Sequence, residues 1–388
     1  NVAIGENAGD ALTTGSDNTL VGDNAGGALT TGTDNIAIGS AALDTEDTGA
    51  RSVAIGSNAL TAQNNDGNNY NVAVGYNSGA AATSGIRNNF FGAESGESLT
   101  TGDDNIAIGY QTLTSETQGN RTVAIGNNAL DAQNSTTDTN MYNVGVGYAA
   151  GGSITTGQNN VLLGALAGDA LTDADANIAI GKSALSADTL GSKSIAIGLG
   201  ALQSQNFTTA TDSFNTAVGH GVGASITTGT ENTLIGGEAG DAITTGSTNT
   251  LVGYLSGSGI TTGGANTAVG RKAMEATTTS SDSVAVGSNA MRVNTTGGDN
   301  TAVGSAALEA NTTASNNTAV GRSALAANTT GHSNVAVGKD ALLVNTTGVE
   351  NTAVGQIALD ANTTGGSNVA VGQAAMSSNT TGSNNTAV

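Results

Sequence analysis

Two histidines, His220 and His332, six Asn-Thr-Thr phrases, a series of Thr-Thr pairs and a few neighbouring aspartates are the residues of this chain whose types and spacing could do chemistry. The histidines stand 112 residues apart, with no cysteine to join them and no paired ligand, so convergent metal or catalytic chemistry has no constellation to use. The phrases at Asn294, Asn311, Asn328, Asn345, Asn362 and Asn379 match the glycosylation acceptor pattern. Asparagine and threonine side chains that bond along a stack account for them without a sugar. Thr13-Thr14, Thr30-Thr31, Thr100-Thr101 and their successors could form an ice-binding ladder. Adjacent residues of a strand point opposite ways, however, and a Thr pair followed by Gly reads as turn chemistry. Asp103-Asp104, and Asp173 with Asp175, are acidic turns without the glycine-rich nonapeptide of calcium-binding rolls. Tyr76, Tyr110, Tyr148 and Tyr254 could offer sugars a stacking surface. No catalytic, cofactor-binding or metal-ligating residue is assigned, and the chain is expected not to be an enzyme.

The elements that must position any such residue follow from a strict repeat. Asparagine, two or three small aliphatics and glycine recur at Asn1, Asn18, Asn35, Ser52, Asn71, Asn88, Asn105, Thr122, Asn143, Asn160, Asn177, Ser194 and Asn215. From Asn215 the phrase returns every 17 residues to Asn385, which makes 22 complete coils and a stub. The coil from Ser52 carries two extra residues, and those from Thr122 and Ser194 carry four. Each phrase is a short strand, and its glycine suits a corner needing positive φ or close backbone approach. The spacing predicts an all-β parallel β-solenoid, a rod roughly 100 Å long at about 4.8 Å per coil. One large aliphatic per coil fills the interior from either of two places: Leu12, Leu29, Leu99 or Ile154 in one style, Leu43, Leu60, Leu308 or Leu325 in the other. The styles alternate two and two in blocks 1–70, 71–142 and 143–214, so that residues 1–265 read as four-coil super-repeats and 266–388 as a uniform shaft.

Composition narrows the function. The chain has 58 Gly, no Pro, Cys or Trp, four Phe and six Tyr, too little bulk for a thick core. A net charge of −21 removes the footprint of a nucleic-acid binder and disfavours anionic membranes. No run of 18 apolar residues exists, so no membrane insertion is expected in this segment. The chain starts and stops inside repeats and reads as an excerpt of something longer. Hexapeptide acyltransferases are the strongest enzymatic rival, through Val303-Gly304-Ser305-Ala306-Ala307-Leu308. Eleven other residues per coil break that pattern, and no recurring histidine can serve as base.

A coil that buries about one large side chain gains roughly 2–3 kcal/mol from it, far less than ordering 17 residues costs. The middle strand residue is usually Ala, as at Ala3, Ala37, Ala54, Ala319 and Ala336, and points away from its larger neighbours. Read as an outer ladder of small residues, it would pack against further copies, and Ala319→Glu with Ala336→Glu would separate them. Ser52-Val53-Ala54-Ile55-Gly56, Ser194-Ile195-Ala196-Ile197-Gly198 and Ser283-Val284-Ala285-Val286-Gly287 resemble the head repeats of trimeric autotransporter adhesins, the YadA-like β-roll, with longer units. Similar long-spaced repeats look like parts of phage tail fibres. The resemblance implies a homotrimeric, extracellular fibre segment at a cell or virion surface, which presents a binding surface to a receptor, matrix protein or glycan without catalysis or cofactor. A virion tail fibre for host attachment and an ice-binding or other ordered-surface solenoid are the alternatives. The lengthened coils, around 64–70, 134–142 and 206–214, are expected to project as binding loops. Stacking at 17 residues also predicts that Arg51 lies beside Asp34, Arg121 beside Asp104, and Lys193 near Asp175.

Overall fold

The computed structural model describes residues 1–388. Every regular element is a strand, nearly all of them three residues long and parallel to the next. Two compact units are present: Asn1–Lys193 with Phe207–Thr211, and Ser194–Asn206 with Asp212–Val388. Each is a parallel β-solenoid with one three-residue strand in every full coil, to which the second and third lengthened coils and those before them add a two-residue strand. In the first unit Val2 pairs with Thr19 and Thr19 with Ile36; in the second, Thr301 pairs with Thr318 and Thr318 with Val335. The lengthened coils keep this register, since Val53 pairs with Val72, Val123 with Val144 and Ile195 with Thr216. Extra residues are therefore absorbed outside the strand ladder, as the repeat arithmetic requires.

The fifth residue of each coil makes the stacking possible. Gly22 has φ +137° and Gly304 φ +140°, an extended left-handed conformation that only glycine adopts readily. A Cβ on Gly22 would sit 2.5 Å from the Gly39 carbonyl oxygen of the following coil. The first residue supplies the internal ladder. The Asn18 amide donates to the Gly32 carbonyl at 2.9 Å, and its Oδ1 accepts the Asn35 backbone N–H at 2.9 Å. One buried side chain thus closes its own coil and ties it to the next, satisfying groups that would otherwise be buried unpaired.

The strand faces are the reverse of the sequence expectation. Ala37, Ala54, Ala319 and Ala336 are completely buried, and their larger neighbours face out: Val303 and Val320 are each 36% exposed. The reason is the width of the coil. Its interior already holds a second alanine, such as Ala42 or Ala307, and one leucine, such as Leu43 or Leu308, which leaves room for only a methyl group from the strand.

Where the strand does point a large side chain inward, a glycine gives way. Leu162 is buried, and a Cβ on Gly151 or Gly168 would lie 2.6 or 2.8 Å from its methyl groups; Leu251 has the same relation to Gly257 at 2.7 Å. This ninth coil place is left-handed in both styles, glycine at φ +57° in Gly26 or leucine at φ +53° in Leu43. A leucine held there costs on the order of 1 kcal/mol in backbone strain, less than its burial returns.

Candidate functional site

No catalytic constellation forms. His220 and His332 are both exposed, and the nearest hydrogen-bonding side chain to the His332 ring is Ser333, at 3.2 Å. No group of three or more His, Asp or Glu is arranged to hold a metal ion. The acidic turns are occupied in stacking: Asp173 accepts the Thr156 hydroxyl at 2.6 Å, and Asp175 the Gln158 N–H at 2.7 Å. Tyr76, Tyr110, Tyr148 and Tyr254 are exposed.

The Asn-Thr-Thr phrases face inward. Asn311, Asn328, Asn345 and Asn362 are fully buried. The Asn328 amide donates to Asn311 Oδ1 at 3.0 Å and to the Gly331 carbonyl at 2.8 Å, so in the folded chain these nitrogens are closed to a sugar. The first threonine of each pair is likewise structural, the Thr295 hydroxyl donating to the Thr312 carbonyl at 2.9 Å. These phrases build the stack.

The lengthened coils do more. Each follows a coil that carries a buried acid at its twelfth place, Glu46, Glu116 or Asp188. Glu116 accepts the backbone N–H groups of Gly119 at 2.8 Å and Ser135 at 2.9 Å, and the Gln133 amide at 2.8 Å. Glu46 accepts Gly49 N–H at 2.7 Å and the side-chain amides of Gln63 and Asn69, each at 3.0 Å. Asp188 accepts the N–H groups of Gly191 and Phe207, each at 3.0 Å. The glutamine at the twelfth place of each lengthened coil then reaches the hydroxyl that replaces asparagine at the first: Gln63 to Ser52 at 2.8 Å, Gln133 to Thr122 at 2.9 Å and Gln205 to Ser194 at 2.8 Å. The signal was present in the sequence, as Ser or Thr for Asn, Gln eleven residues on and an acid in the coil before.

The loops are consequently anchored at their bases. In the second, only the tip, Thr136 to Asp138 with Asn140 and Tyr142, is exposed, while Ser135 and Met141 are buried; Thr139–Asn140 returns to pair with Gly119–Asn120. Phe207 of the third loop is buried as well. Most residues of each stretch are exposed, as expected of loops, with Asp66 to Asn68, Thr136 to Asp138 and Thr208 to Ala210 at the outside, while buried acids hold the base of each.

The charged residues stack as the 17-residue register requires. Arg51 Nε lies 3.7 Å from Asp34, and Arg121 Nε 3.9 Å from Asp104; the Lys193 backbone N–H donates to the Asp175 carbonyl at 3.0 Å. The sequence did not signal what the arginines do next. Arg51 donates to the Tyr70 hydroxyl at 2.8 Å with its guanidinium 5.7 Å from the ring centre, and Arg121 to Tyr142 at 2.9 Å and 5.8 Å. Each lengthened coil in the first unit thus ends on a tyrosine held by a cation over one face.

Stability should depend on pH through three carboxylates at the tenth coil place. Burial raises Asp44, Asp169 and Asp241 above the ordinary 3.8, and Asp169 Oδ1 and Asp241 Oδ1 are buried without a hydrogen-bond partner. A carboxyl raised in the folded state contributes stability that is fully present below 3.8 and lost as pH climbs through its folded value. Asp104 runs the other way: its hydrogen bond to Arg87 lowers it, so its contribution disappears only below 3.8. The melting temperature should therefore rise as pH falls from neutral toward 3.8 and drop below that. Circular dichroism on dilute protein tests this, and a steady fall between neutral pH and 4 would contradict it.

Along the outward strand face the second and fourth coil places carry no charge at any coil, despite the net charge of −21. The fourth is always Val, Ile, Leu or Phe; the second is mostly Val or Ile in the first unit and mostly Thr in the second, as at Thr216, Thr233, Thr250, Thr301 and Thr318. On this face Ile36, Ile38, Phe91 and Ile108 of the first unit and Ile235, Val269, Val303 and Val320 of the second are exposed. No helix is long and apolar enough to cross a membrane. Compared with models of protein families and with curated proteins, the chain matches none.

Proposed function

We propose that the chain is a structural and adhesive segment of an extracellular fibre on a cell or virion, assembled as a homotrimer and without catalytic activity. The observation that carries this reading is the uninterrupted uncharged band on the outward strand face. A partner covering it must present matching apolar rows at the same 17-residue spacing, and a second copy of this chain does so by construction. The band has two unlike columns, one wholly apolar and one rich in threonine. Copies arranged about a common axis along the stack would bury both columns, and three is the number that the likeness of these repeats to trimeric adhesin heads implies.

The test is sedimentation. The purified chain is expected to run as a trimer at micromolar concentration, and Val303→Glu with Val320→Glu should yield folded monomers, since each buries an unpaired charge at the interface. A stable wild-type monomer would defeat the proposal. It would favour the ordered-surface reading, for which the regular outward threonines of the second unit speak, and thermal hysteresis in cooled solution would then decide.

A further inference from the structure

We infer that a cleft in the first unit, beside the second lengthened coil, binds a neutral saccharide; this gives the adhesive part of the reading above a ligand class and rests on it. The cleft has a volume of about 320 Å³ and is walled chiefly by Arg87, Asp103, Asp104, Asn120, Arg121 and Asp138. Arg87, Asp104 and Arg121 occupy the last place of three successive coils, so the 17-residue register stacks them as one wall. The tip of the lengthened coil brings Asp138 to the other side.

These groups hold one another in place. Arg87 grips Asp104 through two hydrogen bonds, Nε to Oδ1 at 2.5 Å and Nη2 to Oδ2 at 3.0 Å, with Asp103 at 3.6 Å. Asn120, only 8% exposed, donates to Asp138 Oδ1 at 2.6 Å while its own carbonyl accepts the Asp103 N–H at 2.6 Å. Asp103 Oδ1 accepts the Ile86 N–H at 2.8 Å. The result is a fixed wall of alternating donors and acceptors, whose ordering cost is met in folding and not on binding.

The charge pattern selects the ligand. An anion would face three carboxylates, Asp103, Asp104 and Asp138, with both guanidiniums already engaged; a cation would face the two arginines. Sugar hydroxyls, which donate and accept at the same atom, match such a mixed lining without a charge of their own. Tyr142 stands outside the cleft wall and supports it: its hydroxyl accepts a hydrogen bond from Arg121 at 2.9 Å, which fixes that guanidinium in place.

The set is peculiar to the second block. At the place of Arg87 the first block has Asp17 and the third Asn159; at the place of Asn120 they have Ala50 and Ser192. The Arg51–Tyr70 stack of the first block shows that the cation over the ring belongs to the scaffold. The cleft is what the second block adds to it.

Saturation-transfer NMR on the intact chain with the methyl glycosides of glucose, galactose, mannose and N-acetylglucosamine tests the assignment, with sialyllactose and Ca²⁺ as charged contrasts. At least one neutral glycoside is expected to bind saturably. Arg87→Asp should weaken it about tenfold or more, and Asp138→Asn should act in the same direction. Arg87→Asp installs the residue that the first block carries at this place, where Asp17 has φ +62° against +59° for Arg87, so the backbone accepts it. No binding by any neutral glycoside, binding indifferent to both variants, or binding of sialyllactose or Ca²⁺ alone would overturn the site. Sedimentation of the same samples separates the two claims: a trimer that binds no saccharide removes the cleft and leaves the fibre reading intact, whereas a monomer that binds does the reverse.

Discussion

Ala319→Glu combined with Ala336→Glu is expected to unfold the middle of the second unit and not simply to dissociate the chains from one another. Both alanines are completely buried, and the coil interior around them is lined by Ala324, Leu325, Ala341 and Leu342. A carboxylate placed there has no cation to meet, and the neighbouring asparagines already spend their amides on carbonyls, as Asn334 does on Gly348 at 2.9 Å. Each substitution should cost more than about 3 kcal/mol, through an unpaired buried charge and overpacking together. The outward pair Val303→Glu and Val320→Glu changes the next residue of the same kind of strand, yet should leave the circular dichroism spectrum intact and alter only sedimentation. If the alanine variants melted like the parent while the valine variants lost their fold, the inside and outside of the strand would have to be exchanged.

That inside and outside is where reading the sequence falls short, for a definite reason. Alternation along Thr301-Ala302-Val303 states that Ala302 and its neighbours face opposite ways, but not which side is the core. Habit assigns the larger residues to the interior. The interior of a 17-residue coil is too narrow for that, because Ala307 and Leu308 already fill it, and the strand can add only a methyl group.

The repeat arithmetic, by contrast, fixes the strand positions, the register of every pair and the neighbours of Arg51 and Arg121, because a residue's partner in a solenoid is its own successor 17 places on. Its expectation of one large side chain per coil fails where the strand adds a second, as Leu20 joins Leu29, Leu162 joins Leu171 and Leu251 joins Ile260. It does not reveal that Gly168 of the same coil and Gly151 of the coil before both yield space to Leu162, and the second of these contacts appears only when coils are stacked. Glu46 and Glu116 left a signal in the Ser or Thr and the Gln of the coil that follows, but composition masks it. Acids in a chain of net charge −21 read as solvated turns, and only the geometry shows backbone N–H groups converging on them. The cleft depends on Asp138, which the parallel return of Thr139–Asn140 beside Gly119–Asn120 brings back toward the coil wall.

Gly22→Ala should be among the most damaging single changes in the chain, and comparison with Gly67→Ala separates its two causes. Gly22 has φ +137° and Gly67 φ +107°, so a side chain at either place strains the backbone by about 1–3 kcal/mol. Their surroundings differ. A Cβ on Gly22 would lie 2.5 Å from the Gly39 carbonyl oxygen and 2.6 Å from its carbon, whereas one on Gly67 would meet nothing within 4 Å. The Gly39 backbone cannot retreat, because its own N–H is bonded to the Val21 carbonyl at 2.8 Å and the coil beyond repeats the constraint. Relieving the clash means prying two coils apart and losing ladder hydrogen bonds at about 1 kcal/mol each. Gly22→Ala should therefore destabilise the first unit at least twice as much as Gly67→Ala, measured as the shift in urea midpoint. Gly321→Ala, whose Cβ would lie 2.5 Å from the Gly338 carbonyl oxygen, should do the same to the second unit. Equal losses for Gly22→Ala and Gly67→Ala would mean that the invariant corner glycine is required for its own conformation alone, and that the coils do not stack closely enough to exclude a methyl group.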